Sequence, residues 1–480
     1  MKNNQLIKLL SALSPEELRG FSRFVRSPNG CVGQSPLKLI NILKKYYPDF
    51  SSAAFQKEKV FRRLYPGQPF NNNLLRKACS RLKQLLENYL IDLEIQRDTF
   101  LRKKLLTRVY RQRNLHHFFD KGVKQLDSIL QAGPGRGMDY HLEMFLLNKE
   151  VYFHPDTETF SRQVASLDRL MEHLDRFIML SKLCFSSEML SRKAYLNDNK
   201  EVLLLEEILR EVGRLQDGDG VSIYHLYVNL IRLQEKGSEN LPTLRLTEEL
   251  FKEVIEMMSE EERDLIYKNL INYAISKYHA GRQKYGELVF RLYEIAIQHN
   301  LILHRGYISV AAYTNVAVVG SIQKQFDWTW AFIHEYDQYL RSDERDNAKN
   351  LSLAYWYFHQ NMFERSVEYL QQVNFSVPSY GPRTRTLLLR NFYELYRRNP
   401  SQYDHLMDQI DAFRRYMQRD QLLSRQKSAI YLNFIHFLPK LINADLLEKE
   451  TRKTELLQEL NARQPIIAKQ WLEQKIEELM

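Results

Sequence analysis

Residues Leu353-Ala354-Tyr355-Trp356-Tyr357-Phe358-His359-Gln360-Asn361-Met362-Phe363-Glu364-Arg365-Ser366-Val367-Glu368-Tyr369-Leu370, closed by Val373 and Pro378, decide the fold class. A small residue, Ala354, sits in a first apolar and aromatic stretch. After a polar break, an aromatic residue, Phe363, opens a second stretch. This pattern predicts two short helices folded back to back. The small side chain lets the second helix approach closely, and the aromatic near the turn plugs the gap between them. One such pair cannot bury both of its faces, so further pairs are expected beside it.

The same pattern can be laid along the neighbouring sequence. Phe326-Asp327-Trp328-Thr329, followed by Ile333 and Tyr336, matches Phe363-Glu364-Arg365-Ser366, followed by Leu370 and Val373, at an offset of 37 residues (326 to 363). Ala317 and Gly320 then occupy the places of Ala354 and Tyr357. The match continues to Tyr285-Gly286-Glu287-Leu288 with Leu292 and Ile295, and to Tyr403-Asp404-His405-Leu406 with Ile410 and Phe413. These units resemble the tetratricopeptide repeat, whose usual period is ~34 residues. The longer spacing here, and Thr329, Ser366 and Leu288 in place of the expected alanine, depart from that repeat. The resemblance implies an all-α protein, a tetratricopeptide-like α-solenoid of antiparallel helix pairs.

Composition agrees with a helical chain. In 480 residues there are only 17 glycines and 14 prolines, against a usual combined share of roughly 12%. Aromatics make up 12% and stand mostly at helical spacing beside Leu or Ile, where they would fill the wide gaps between stacked helices. The three cysteines, Cys31, Cys79 and Cys184, show no metal-ligand spacing and read as reduced, mostly buried thiols. Lys8 interrupts the opening apolar run, which argues against a signal peptide. No run reaches the ~18–20 apolar residues of a membrane span. A cytoplasmic protein is expected.

Charge is unevenly spread. Residues 1–125 carry 25 Lys and Arg against 9 Asp and Glu, a balance of +16. The whole chain is +10 (69 against 59), leaving 44 against 50, or −6, for the remainder. A basic end attracts anionic surfaces such as nucleic acid, or simply keeps a large protein soluble.

Within that basic end, Ser14-Pro15-Glu16-Glu17 has the residues of a helix start: a capping serine, proline at the first position and glutamates against the dipole. Phe55 to Phe70, with Pro66-Gly67 as its turn, leads into a long helix over Asn71–Leu93. On that helix Leu74, Leu75, Ala78, Leu82, Leu85, Leu86 and Tyr89 share one face, and Arg76, Lys77, Ser80 and Lys83 lie roughly opposite. Leu64-Tyr65-Pro66-Gly67, Leu75-Arg76 and Ser80-Arg81-Leu82-Lys83 resemble the helix-turn-helix of OmpR-type winged helices in bacterial activators, in which a tetratricopeptide-like domain follows. That resemblance implies DNA contact through Arg76, Lys77, Ser80 and Lys83. However, no strands are read before the first helix and no hairpin wing after Leu93. As a whole the chain resembles an uncharacterised helical family from Bacteroidota, which carries no known activity.

Arg97 to Gln131 reads as another helix pair. Leu101, Leu105, Leu106 and Val109 form one apolar face, Phe118, Phe119, Leu126 and Ile129 the other, and Arg113-Asn114 the turn. Gln131-Ala132-Gly133-Pro134-Gly135-Arg136-Gly137 is the strongest breaker. Lesser breaks fall at His154-Pro155-Asp156, Asp217-Gly218-Asp219-Gly220, Lys236-Gly237-Ser238 and Pro378–Pro382. From Ala444 the sequence is charged and amphipathic, with Trp471, Leu472 and Ile476 as a capping face. The expected organisation is a basic helical N-terminal cap domain over 1–95, helical repeats over 96–440 and capping helices over 441–480.

No catalytic constellation emerges. Adjacent His116 and His117 point about 100° apart on a helix and do not share a metal readily. Asp217–Gly220 has glycine at the wrong position for a calcium loop and no glutamate at its twelfth place. The glycines at 133–137 follow a helix and lack the Lys-Ser/Thr of a phosphate loop. The reading is a non-catalytic scaffold or adaptor without a cofactor, holding a partner peptide or helix on the first helices of its pairs. Tyr313, Asn315, Tyr355 and Arg390 are the expected partner-binding positions, set against the reading that the tyrosines are simply core. The alternative is a DNA-binding regulator.

Overall fold

The computed structural model describes residues 4–27, 34–50, 55–133, 135–154, 160–196, 202–215, 221–234, 240–279, 282–374, 381–419, 425–447, 451–463 and 465–479. Among these residues the regular structure is helical. There is no strand, only an isolated bridge between His304 and Tyr307. Cys31, Pro378, and the breaks at 217–220 and 236–238 lie outside the described residues. No helix among the described residues is long and apolar enough to cross a membrane.

The chain divides into two compact units, Met1–Gly133 with Glu143–Glu172, and Pro134–Leu142 with His173–Met480. The first holds α1 (Gln5–Ser11), α2 (Pro15–Phe24), α3 (Gln34–Leu43), α4 (Lys57–Leu64), α5 (Asn72–Arg97), α6 (Thr99–Gln112), α7 (His116–Ala132) and parts of α8 (Met138–Tyr152) and α9 (Phe160–Leu196). Position 95 lies inside α5, whereas the Gly133 boundary falls in the glycine-rich breaker.

Local chemistry places these helices. Ser14 and Glu17 form a reciprocal capping box at the start of α2, and Pro15 takes the first helical position. Asn71 caps α5 by accepting from the Leu74 N–H. The α5 residues Leu75, Ala78, Cys79, Leu82, Leu85 and Leu86 are buried at three- and four-residue spacing, in one core with Leu6, Leu10, Phe21, Leu39, Leu43 and Phe61 from α1 to α4.

The α6–α7 pair exists with its turn at Asn114 (φ +55°), but its packing differs from the expected faces. Leu105, Leu106, Phe118 and Ile129 are exposed, while Phe119 and Leu126 are buried. The helices approach closely at Thr107 and Gly122, where an added Cβ would stand 2.4 Å from the Thr107 Oγ1. Periodicity identifies an apolar stripe. The small residue decides which part of the stripe the partner helix can reach.

The second unit continues with α10 (Leu205–Val212), α11 (Val221–Leu233), α12 (Leu241–Val254), α13 (Glu260–His279), α14 (Gly286–Gln298), α15 (Val310–Ile322) and α16 (Phe326–Tyr336). After these come α17 (Arg345–His359), α18 (Phe363–Gln371), α19 (Gly381–Arg398), α20 (Tyr403–Arg419), α21 (Arg425–Leu447), α22 (Thr451–Ala462) and α23 (Lys469–Glu477). From α11 to α22 each helix packs on the next. One hydrophobic core runs from Leu180 to Ile476. Position 440 lies inside α21.

The spacing read from the sequence falls on equivalent places. Phe326, Phe363 and Tyr403 begin α16, α18 and α20, and Tyr285 directly precedes α14. Ala317 and Ala354 are fully buried. The residues standing where alanine was expected are accommodated as well. The Ser366 hydroxyl donates to the Ala354 carbonyl at 2.8 Å, and Thr329 donates to the Gln325 carbonyl at 2.7 Å. A Cβ on Gly320 would come within 2.3 Å of the Thr329 Oγ1.

Candidate functional site

Of the four expected partner positions, Tyr313 is a core residue. It is fully buried, and its hydroxyl donates to the Ile333 carbonyl at 2.6 Å, joining α15 to α16. Its tyrosine character serves packing plus one satisfied hydrogen bond. Asn315 is half-buried on α15, and Tyr355 half-buried on α17. Tyr355 and Arg390 are brought together electrostatically, but Asn315 does not join them by any bond among those described.

Arg390 is half-buried on α19. Its guanidinium lies 4.3 Å from the centre of the Phe358 ring and 5.4 Å from that of Trp471. A flat cation over aromatic rings gains attraction from their faces while shedding water. Burial pushes its pKa down to about 10, against the opposing influence of Tyr355 and Glu394, so it stays charged at neutral pH. The guanidinium bears on His359 at the end of α17. Burial first, and Arg390 second, push that imidazole down to about 3, so His359 is neutral.

One turn beyond Arg390, Glu394 is only 8% exposed, and one of its carboxylate oxygens is met twice from α23. The Trp471 indole N–H donates to Oε1 at 2.9 Å, and Lys475 Nζ stands 2.9 Å from the same oxygen. Lys475 is itself 7% exposed and also reaches Glu478 at 2.8 Å. Burial raises the Glu478 pKa, but hydrogen bonds from Lys475, Arg397 and Gln474 outweigh it and hold the carboxyl below its ordinary range. The Trp471 ring meets Tyr393 edge-on at 5.2 Å and Phe434 of α21 at 6.3 Å. Gln470 stands near Tyr278 on α13, where it opposes the rise that burial causes in the tyrosine's pKa. On α21, burial raises the Tyr431 pKa against the opposing influence of Arg383.

Glu394, Lys475, His359, Arg383 and Tyr431 were not singled out from the sequence, and Trp471 was assigned only to a capping face. The available signal is the pair of four-residue spacings, Arg390/Glu394 and Trp471/Lys475, each of which stacks two side chains on one helical face. Nothing in the sequence says that these two faces meet.

In the first unit, Arg76, Lys77 and Ser80 are exposed on α5, while Lys83 is committed to Gln5 at 3.0 Å and Glu87 at 3.2 Å. The described residues up to 95 hold helices alone, so the strands of a winged helix are absent from them. Without a wing, part of the usual phosphate grip is missing. His116 Nδ1 lies 3.3 Å from His154 Nε2, and His154 stacks on Phe119. No group of three or more metal-ligating side chains occurs among the described residues. Comparison of the chain with protein-family models, curated proteins and solved structures yields no match.

Proposed function

We propose that the protein is a non-catalytic scaffold of the cytoplasm, in which successive helix pairs form a tetratricopeptide-like solenoid that holds a helix or peptide of a partner protein. The observation that carries this reading is the mixed, largely buried cluster on α17 and α19 on which α23 rests. There Tyr355, Arg390 and Glu394 bring aromatic, cationic and anionic groups to one place beside an extended apolar core. Such a surface suits an amphipathic helix. Apolar contacts supply affinity, and the buried charges supply orientation and discrimination. The recurring placement of Tyr285, Phe326, Phe363 and Tyr403 at second-helix starts supports a repeat built from pairs. The basic N-terminal helices serve in this reading as a solvated cap.

The test is affinity purification of the tagged full-length protein from its native cell, split into nuclease-treated and untreated halves, with mass spectrometry on both. An abundant partner that survives nuclease, and that is depleted by Tyr355→Ala in a folded variant, fits the scaffold. Partners that vanish with nuclease, together with binding that falls steeply with salt, would replace it by nucleic-acid recognition through Arg76, Lys77 and Ser80.

A further inference from the structure

Helix α23 has only nine residues, too few for a stable helix on its own in water. It is entered through Ala468 at φ +55°, a left-handed conformation that residues other than glycine seldom adopt, and no side chain caps its first turn. Its helical state therefore depends on what it rests against.

That support is not confined to α22, the preceding helix. Gln470 reaches α13, Trp471 reaches α19 and α21, and Lys475 and Glu478 pair with Glu394 and Arg397 on α19. Leu472 and Ile476, on the same side of α23, are fully buried. Trp471 and Lys475 stand one turn apart and offer an N–H and an ammonium to a single carboxylate. This is how one helix reads another. A buried ion pair of this kind adds little to stability compared with apolar packing, but it discriminates strongly between a matched and an unmatched occupant.

We propose that α23 is a built-in occupant of the partner site. The surface formed by α13, α19 and α21 receives an amphipathic helix that carries an indole and, one turn later, a cation, flanked by aliphatic side chains. In the isolated chain α23 fills that place until a partner helix of the same chemistry displaces it. The inference rests on the scaffold reading above and adds the partner's chemistry and its internal competitor.

The test uses full-length chains and a fluorescein-labelled peptide of residues 466–479, followed by fluorescence anisotropy. Apparent affinity is reduced by the fraction of seats already filled, so native protein binds the peptide weakly. Trp471→Ala with Lys475→Gln, which removes both anchors from α23 but leaves the seat intact, binds it about tenfold tighter or more. Glu478→Lys sets a lysine against Arg397 and Lys475 at the half-buried end of α23, leaves Trp471, Leu472 and Ile476 in place and gives a smaller gain in the same direction. Adding Glu394→Lys to either variant abolishes binding.

The proposal is overturned if no chain binds the peptide, if native and loosened chains bind it equally, or if Glu394→Lys has no effect. It also falls if the double variant loses cooperative unfolding while folded Glu478→Lys gains nothing, because α23 is then an integral layer of the core. If the peptide results fail while a nuclease-resistant partner is still recovered, only the occupant falls. Peptide exchange without any recovered partner would count against the scaffold reading instead.

Discussion

The pairs α6–α7 and α17–α18 read alike in the sequence, each as two short helices rich in leucine and aromatics around a polar turn. In the α17–α18 pair Leu353, Ala354, Phe358, Phe363 and Leu370 are all buried, with α15 and α16 packed on α17 and α19 packed on α18. In the α6–α7 pair Leu105, Leu106 and Phe118 are more than 40% exposed, even though the two helices touch as closely at Thr107 and Gly122 as α15 and α16 do at Gly320 and Thr329. The close contact of α6–α7 matches that of α15–α16, the pair before α17–α18, while the covering neighbours differ. Burial of a helix pair therefore depends on which helices pack against it, and a pair with an uncovered face keeps apolar side chains in water.

The largest effect that bears on this contrast is expected from Leu370→Ala. The side chain is fully buried, and its removal should cost about 2–5 kcal/mol, read as a lower denaturant midpoint for the second unit. A cost below about 1 kcal/mol would mean that the α17–α18 interior is as loose as the α6–α7 surface.

Acid should weaken the same region through His359. Its folded pKa is depressed to about 3, so the unfolded chain, titrating near the ordinary 6.5, takes up the proton first. Stability is full above that ordinary value and falls as the pH drops through it, by about 2 kcal/mol at pH 5. His141 is buried and depressed in the same way, so the informative quantity is the difference between native protein and His359→Gln. The variant's pH profile should be flatter between pH 7 and 5, and parallel profiles would refute the assignment.

Close approach can be tested in both regions. Gly320→Ala pushes a methyl group against the Thr329 hydroxyl and should destabilise by about 1–2 kcal/mol, with Thr329→Ala restoring most of the loss. Gly122→Ala, relieved by Thr107→Ala, should behave similarly. A cost only at Gly320 would show that the α6–α7 pair yields where the covered pair cannot.

The smallest effect is expected from Phe118→Ser, whose ring is 54% exposed. Thermal unfolding should stay within about 0.5 kcal/mol of native. A clearly larger loss would mean that the ring is covered in solution, and would remove the contrast between the two pairs.

Helical class, the start of α2 at Ser14, the turn after Leu64 and the second-helix starts at Phe326, Phe363 and Tyr403 are legible because capping, glycine and proline placement and apolar periodicity are local. They depend on residues a few positions apart, and the chain states them directly. Tyr313 stayed open between groove and core because an aromatic facing either has the same spacing. Only the Ile333 carbonyl within reach of its hydroxyl separates the two cases.

The cluster of Arg390, Glu394, Trp471 and Lys475 was out of reach for a related reason. Glu394 and Trp471 are 77 residues apart, and their hydrogen bond depends on which helices α23 crosses. The sequence by itself determined that this chain is helical and where many of its helices begin, since those choices follow from local backbone and side-chain chemistry. Which apolar faces are covered, which tyrosine is core and which carboxylate meets which cation were decided only by the tertiary structure, because burial and charge pairing depend on distances through space that no spacing along the chain encodes.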